Sequence, residues 1–549
     1  MSTTSYRSGT LHHALAQLGR TSPRRNALLW DDSVFTWEDL LLESLAMAEA
    51  LLDAGVTPGD TIAAWGTSAP FHVVSLCASG MVEAVQVPLN PRWPQSWLRE
   101  AALGTSVLIS DGRLPVTRWL RRPKVLSWSS RERAHPRVSE SRVFPGEENN
   151  PVTVDFTRGR DGASPRGALL THGMVLGNAA ATARVLDIGS DDVVAYLFPS
   201  WQHPHELVGK GLAAGCTSIG VDFPYPRTIL SLIGRHSPTW IIGSPRVMEG
   251  LLPFGDRLTE ALQGVRGIVL VGDYARPRLI SRLAAAKLRL FNAWGSAETA
   301  GIALLGEMTT DTVDGCGVPC PGYEASVRSS GGAKEGQLLI RGPAVSLSYL
   351  DRRSVLGAEG WFDTGDLVRL MPDGTLRLAG RPGEAVLGEG RRISLARLET
   401  TIARMPGVAD VAALQIPPGS DSVAVYIEPE GTTISISQII RKLRQFFGPV
   451  VPEICVVSSL PRSADGRIDK ARLVAGEIPP MSLEAVDKAM LELLNRRALL
   501  SAEAPRGDES PLSADETVLQ RMVGSNAGPL FDDSVREIFR CILDHSRRT

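Results

Sequence analysis

The stretch Gly360-Trp361-Phe362-Asp363-Thr364-Gly365-Asp366, with Gly380-Arg381 one hairpin further on, decides how this chain folds. Trp361 and Phe362 read as the apolar anchor of a strand. Thr364-Gly365 read as a tight turn that leaves Asp366 where both carboxylate oxygens can accept hydrogen bonds. Pro372-Asp373-Gly374 closes a hairpin that brings Arg381 back beside that carboxylate. An Asp and an Arg in loops are most often a surface ion pair of little energetic weight. A buriable carboxylate and an arginine on adjoining strand ends can instead hold a vicinal diol such as a ribose.

Further pieces lie on both sides of that stretch. Towards the N-terminus are Phe35-Thr36-Trp37-Glu38-Asp39-Leu40, then Ala54-Gly55-Val56-Thr57-Pro58-Gly59-Asp60, then Val87-Pro88-Leu89-Asn90. Ala168-Leu169-Leu170-Thr171-His172 follows, then Asn292-Ala293-Trp294-Gly295-Ser296-Ala297-Glu298-Thr299, then Arg341-Gly342-Pro343 with Tyr349. In this order and at these spacings the chain resembles the adenylate-forming (AMP-binding) superfamily, which includes acyl-CoA synthetases, adenylation domains of peptide synthetases and luciferases. The resemblance covers about residues 10–475.

Composition fits a large enzyme. At 549 residues the chain is too long for one core. A net charge of -2 gives no electrostatic case for nucleic acid or an anionic membrane as partner. No apolar run approaches the roughly 20 residues of a membrane span, and the first residues lack a signal-peptide core, so a cytoplasmic protein is expected. Cys77, Cys216, Cys316, Cys320, Cys455 and Cys541 are scattered, without the spacing of a metal site. Helical patterns such as residues 40–52 alternate with short apolar runs such as Thr61-Ile62-Ala63-Ala64-Trp65 and Gly267-Ile268-Val269-Leu270-Val271, the signature of helices covering sheets. The resemblance supplies the layout: an α/β AMP-binding domain of several subdomains over residues 1–381, a small α+β lid over 382–476, and an all-helical tail over 481–549. Gly383 falls at the family's hinge, where glycine absorbs a large backbone change without a side-chain clash.

What the resemblance implies about chemistry can be assigned residue by residue. Trp294, beside Gly295, matches the aromatic that stacks on adenine. Asp366 and Arg381 match the ribose-binding pair. Glu298 matches the glutamate that binds Mg²⁺, a hard cation suited to oxygen ligands. Thr157, Gly159, Arg160, Gly162 and Arg166 belong to the phosphate loop, and His203 or His205 to the acyl site, with His203 preferred. Trp201, Asn292 and Gly272-Asp273-Tyr274 are expected near that site. Arg467 stands at the position of the catalytic lysine of the lid.

Several of these positions depart from the family pattern. The phosphate loop reads Thr157-Arg158-Gly159-Arg160-Asp161-Gly162-Ala163-Ser164-Pro165-Arg166-Gly167: the glycines are kept, but arginines and an aspartate replace hydroxyls. At about 5 Å and an effective dielectric of about 20, Asp161 repels each unit of phosphate charge by roughly 3 kcal/mol. Arg158, Arg160 and Arg166 can compensate, since guanidinium groups fork onto phosphate. Arg467 keeps the charge of lysine in a bulkier, planar group. Leu387 replaces a lysine that bears on the thiol donor. Ala297 replaces a threonine, at a cost of about one hydrogen bond, roughly 0.5–1.5 kcal/mol.

After Pro479-Pro480, which read as a linker, the tail shows three amphipathic patterns. The first holds Leu483, Val486, Met490, Leu493 and Leu494; the others follow capping-box spacings at Ser513-Ala514-Asp515-Glu516 and Ser534-Val535-Arg536-Glu537. This tail resembles the all-helical chorismate mutase family, with Arg497 at that family's first-helix arginine but with two further catalytic cations lacking. It reads as a non-catalytic relative that forms a homodimer or senses an aromatic acid. The whole chain is thus expected to be an AMP-forming ligase that uses ATP and Mg²⁺ to activate a small, aromatic carboxylic acid and passes it to the thiol of CoA or an acyl carrier protein, or to another nucleophile. The altered phosphate loop and Arg467 support the alternative, a catalytically impaired pseudo-ligase that acts as a scaffold through its tail.

Overall fold

The computed structural model describes residues 9–112, 124–128, 143–157, 165–272, 275, 277–286, 288–309, 315–329, 335–380, 385–388, 391–416, 422–430, 435–447, 452–462, 468–476, 511–524 and 532–546. The chain divides into two compact units, residues 1–382 and 383–549.

The first unit is α/β, as its alternating patterns imply. Among its described residues are a 13-stranded and a 6-stranded mixed sheet. At the centre of the larger sheet, strands Val193–Pro199, Trp240–Gly243, Gly267–Val271 and Arg289–Ser296 run parallel. Their apolar runs are buried on both faces, which is why they carry no polar alternation. After Arg289–Ser296 the sheet turns antiparallel at Gly301–Glu307, so the segment between those two strands is a sharp reversal at the sheet's carboxyl end. Helix Trp37–Asp53 starts at a reciprocal cap: the Thr36 hydroxyl accepts the Asp39 amide at 3.1 Å and the Asp39 carboxylate accepts the Thr36 amide at 2.9 Å. Helix Ala69–Met81 is buried along its entire length, consistent with apolar residues all round it.

The stretch at residues 360–366 differs in one detail from its expected form. Thr364-Gly365 do not turn the chain; they form a bulge inside the continuous strand Phe362–Leu370. Pairing runs from Leu339 opposite Asp363 to Gln337 opposite Leu367, so the chain through residues 364–366 faces too few partners to stay in register. Gly365 takes φ 73°, a conformation that favours glycine. The Thr364 hydroxyl donates to Leu338 O at 2.9 Å and accepts the Asp366 amide at 3.1 Å, which fixes the bulge. The hairpin at Pro372-Asp373-Gly374 forms as expected, pairing Leu370 with Leu376.

The second unit contains a small α+β body. Strands Val408–Gln415, Val423–Pro429 and Glu453–Val456 make a sheet covered by helices Leu395–Ala403 and Ile436–Phe447. Leu398, Ile402, Val425, Ile427, Ile439 and Leu443 form its core. Two helices, Pro511–Gly524 and Asp532–Ser546, pack on each other further along, with Leu519, Val535 and Leu543 buried and Arg536 bonded to Glu516 at 2.8 Å. Both begin earlier than the capping-box reading placed them, so Ser513 and Ser534 lie inside helices rather than ahead of them. Pro511 opens the first, a position where its missing N–H is harmless. The first tail pattern at residues 483–494, Arg497, Pro479-Pro480 and the hinge position Gly383 fall outside the described residues. Among those described, the six cysteines are free thiols and no helix is long and apolar enough to cross a membrane.

Candidate active site

The reversal after strand Arg289–Ser296 positions the first group of side chains. Trp294, 9% exposed, donates its indole N–H to Asp366 Oδ2 at 2.8 Å, and Asp366 is itself buried. Trp294 and Asp366, 72 residues apart in the chain, are therefore one assembly. Oδ2 thus already accepts one hydrogen bond from protein, with acceptor capacity left on both oxygens. Gly295 is required by packing: a Cβ there would lie 2.3 Å from Gly301 O.

Three residues on, Glu298 sits in a turn of 3-10 helix and is 6% exposed. The Tyr349 hydroxyl donates to Glu298 Oε1 at 2.8 Å, and the Ser346 amide donates to Glu298 O at 2.7 Å. Burial, followed by the Glu298 charge, raises the Tyr349 phenol well above its ordinary range, so it remains a donor. The Arg166 guanidinium lies over the Tyr349 ring, 5.9 Å from its centroid. Arg166 also pairs with Thr157 across an antiparallel ladder, which brings the two ends of the phosphate loop together. The loop's Gly159, Arg160 and Gly162 lie outside the described residues, as do Arg381, Arg467, Asp273 and Tyr274.

Two residues before Thr157, on the same strand, is Asp155. It is 2% exposed, and His203 Nδ1 lies 2.9 and 3.1 Å from its two oxygens. A carboxylate there fixes Nδ1 as the protonated nitrogen and sets the ring's orientation. Burial opposes ionisation of Asp155, while the neighbouring His203 and His205 outweigh it and lower its proton affinity. His203 is 30% exposed, whereas His205 is 2% exposed, 3.9 Å from Asp155, and burial lowers its own proton affinity. Of the two histidines, His203 is thus the one that solvent reaches. Trp201 is buried edge-on against Phe223, and Asn292 donates to Gly315 O at 2.7 Å, so both support the surrounding walls. Lys470 opens a short helix and is 2.9 Å from Glu399.

The groups that sequence reasoning did not assign are Asp155 and Tyr349. Tyr349 stood in a quoted motif without a role. Asp155 carried no signal, since only the fold brings it to residue 203.

The model of the AMP-binding enzyme family matches residues 15–350, and the chain belongs to that family. Among curated relatives it is 27% identical over 507 residues to 3-[(3aS,4S,7aS)-7a-methyl-1,5-dioxo-octahydro-1H-inden-4-yl]propanoyl:CoA ligase of Mycobacterium tuberculosis, covering 84% of this chain and 98% of that one. It is 26% identical to feruloyl-CoA synthase of Amycolatopsis sp over 83% of this chain and 96% of that one. Phenyloxazoline synthase MbtB of Mycobacterium sp. (strain MCS) is 28% identical over 85% of this chain, which spans only 42% of its length. Among solved structures, O-succinylbenzoate Coenzyme A Synthetase (MenE) from Bacillus subtilis superposes with a TM-score of 0.75 at 22% identity, covering 85% of this chain and 98% of that one. Amide bond synthetase McbA from Marinactinospora thermotolerans gives 0.73 at 20% identity, covering 85% and 99%. At these identities the two structures speak for the fold.

Proposed function

We propose that this protein is an AMP-forming ligase. A carboxylate oxygen of the acid attacks the α-phosphorus of ATP, pyrophosphate leaves, and the resulting acyl adenylate passes its acyl group to the thiol of CoA or a carrier protein, or to another nucleophile, with release of AMP. The observation that carries this reading is the joint assembly of Trp294 with Asp366 and of Glu298 with Tyr349 and Arg166.

Asp366, oriented by the Trp294 N–H, receives the ribose hydroxyls, while the indole lies beside the base. Mg²⁺ fits the carboxylate of Glu298, because this cation typically takes one or two protein carboxylates and completes its shell with phosphate and water. When bound it would neutralise phosphate charge. Tyr349 holds Glu298 through a single oxygen, leaving the other for such a ligand. Arg166 and the arginines of the phosphate loop balance pyrophosphate as it departs. His203, held by Asp155, faces the acid, and Arg467 supplies the cation of the lid. Gly383 is the hinge on which that lid turns between the two half-reactions.

The acid is aromatic, the enzyme works in the cytoplasm, and the helical tail is a non-catalytic, chorismate mutase-like piece that pairs two copies through residues 481–549. The packed pair of tail helices supports this last point, since Ile538 on the second is 43% exposed and can be covered by a second copy. ATP–pyrophosphate exchange over a panel of carboxylates tests the central reading: acid-dependent exchange is expected, and its absence with every acid contradicts it.

A further inference from the structure

The first turn of helix Pro204–Ala214 carries a charge that the ligase chemistry above does not use. His203 is the N-cap of this helix and Glu206 lies in its first turn, near enough for the two charged groups to feel each other. Glu206 Oε2 accepts from Lys210 Nζ at 2.7 Å, and Lys210 is wholly buried. Burial opposes ionisation of Glu206, but Lys210 and then His205 outweigh it, so the carboxyl is held below its usual range.

The second oxygen, Oε1, turns towards Gly301 at the start of the strand that follows Glu298. A Cβ at Gly301 would lie 1.9 Å from Glu206 Oε1 and 2.8 Å from Asn178 Oδ1, so these two oxygens come together against the bare face of Gly301, where no side chain fits. Gly301 has φ 121°, which also favours glycine. The orientation of the Asn178 amide is set by its neighbours. Its nitrogen donates to Ile302 O at 2.8 Å and to the Tyr323 hydroxyl at 2.7 Å, while Tyr323 donates onward to Thr299 O at 2.6 Å. Both carbonyls can only accept, so the amide oxygen is the atom left for Gly301. Among the described residues, no donor reaches Glu206 Oε1, yet its side chain is only 17% exposed. Solvent still reaches this carboxylate, so a ligand that displaces its water must give the hydrogen bond back.

Resting on the ligase reading, we infer that the acid activated here bears a hydrogen-bond donor, an amino or hydroxyl group, that meets Glu206 Oε1 with Asn178 Oδ1 beside it, one helical turn from His203. An acid with a methyl group at that point would strip water from the carboxylate oxygen and offer nothing in return. Discrimination of roughly 10- to 100-fold in kcat/KM is expected, the effect of leaving one such acceptor without a partner.

The competing account is that Glu206 serves only as the counter-ion of Lys210. ATP–pyrophosphate exchange separates the two, measured with size-matched pairs: 3- and 4-aminobenzoate and 3- and 4-hydroxybenzoate against 3- and 4-methylbenzoate, with aliphatic amino and hydroxy acids against their methyl analogues. The wild type should favour a donor-bearing member by at least about 10-fold. Glu206→Gln, whose amide oxygen can accept from Lys210 and turn its NH2 outward, should reverse or erase the preference. The double variant Glu206→Leu/Lys210→Met, which leaves no buried ammonium unpaired, should erase it while exchange with methylbenzoates persists. Equal rates within every pair, or a preference that survives both variants, would overturn the inference and leave the ligase reading standing. Exchange with none of the acids contradicts the ligase reading itself and removes the inference with it.

Discussion

A single hydrogen bond organises the proposed nucleotide end of the site. The Trp294 indole donates to a buried carboxylate, and hydrogen bonds to charged groups contribute about 1.5–3 kcal/mol. Trp294→Phe keeps an aromatic face but leaves one oxygen of Asp366 without its donor. We predict Mg-ATP affinity reduced about 10-fold, equal to about 1.4 kcal/mol, by calorimetry; unchanged affinity would mean that the N–H does not orient the carboxylate. The lid position calls for a different experiment. Arg467 keeps a cation where a compact ammonium is usual in the family, so Arg467→Lys should raise the single-turnover rate of adenylation. A fall in rate would instead show that the guanidinium geometry is used in the reaction. At this scale the sequence yielded Trp294, Glu298 and Asp366, because each stands in a contiguous motif with a chemistry of its own. The indole-to-carboxylate bond, Tyr349 beneath Glu298 and Asp155 behind His203 were hidden, since each joins segments that meet only in the fold.

Among the elements, three buried histidines tie helices together in the neutral state. His172, at the start of helix His172–Leu186, accepts the Leu11 amide on Nδ1 at 3.2 Å and so satisfies a helix N–H from 161 residues away. His12 lies edge-on to it, with ring centroids 5.5 Å apart. His72 bonds Gly66 O at 3.0 Å within the fully buried helix. Burial lowers His12 and His72 to about 4 and, with the charges of His12 and His13 added, His172 to about 3, against 6.5 in an unfolded chain. Depressed values mean that the unfolded state takes up protons first. Their contribution to stability is complete above pH 6.5 and is lost as pH falls towards 4, by roughly 1.4 kcal/mol per pH unit per histidine. We predict a thermal midpoint that falls between pH 7 and pH 5, less steeply in His72→Gln. Identical slopes in the two proteins would contradict this.

The strands and helices of the first unit were legible because apolar runs and helical periods differ plainly. The bulge at Thr364-Gly365 was not, since Thr-Gly is equally the signature of a turn and only pairing with the neighbouring strand distinguishes them. In the tail, Ser followed by Glu at capping spacing was outweighed by helix-competent residues upstream, and both helices start sooner.

The molecule as a whole joins an AMP-binding enzyme body to a second unit with its own small core and a pair of helices. Its family was readable from motif order alone. The acid was not, because the residues proposed to face it come from strand Pro151–Thr157, helix Pro204–Ala214 and the turn at Gly301, three regions without sequence proximity. Titration of the intact protein with Mg-ATP by calorimetry, beside Asp366→Ala, tests the account most directly because it requires no knowledge of the acid. Saturable binding that Asp366→Ala abolishes is the predicted result. No heat at millimolar ATP, or equal binding by the variant, would contradict a ligase built on this carboxylate.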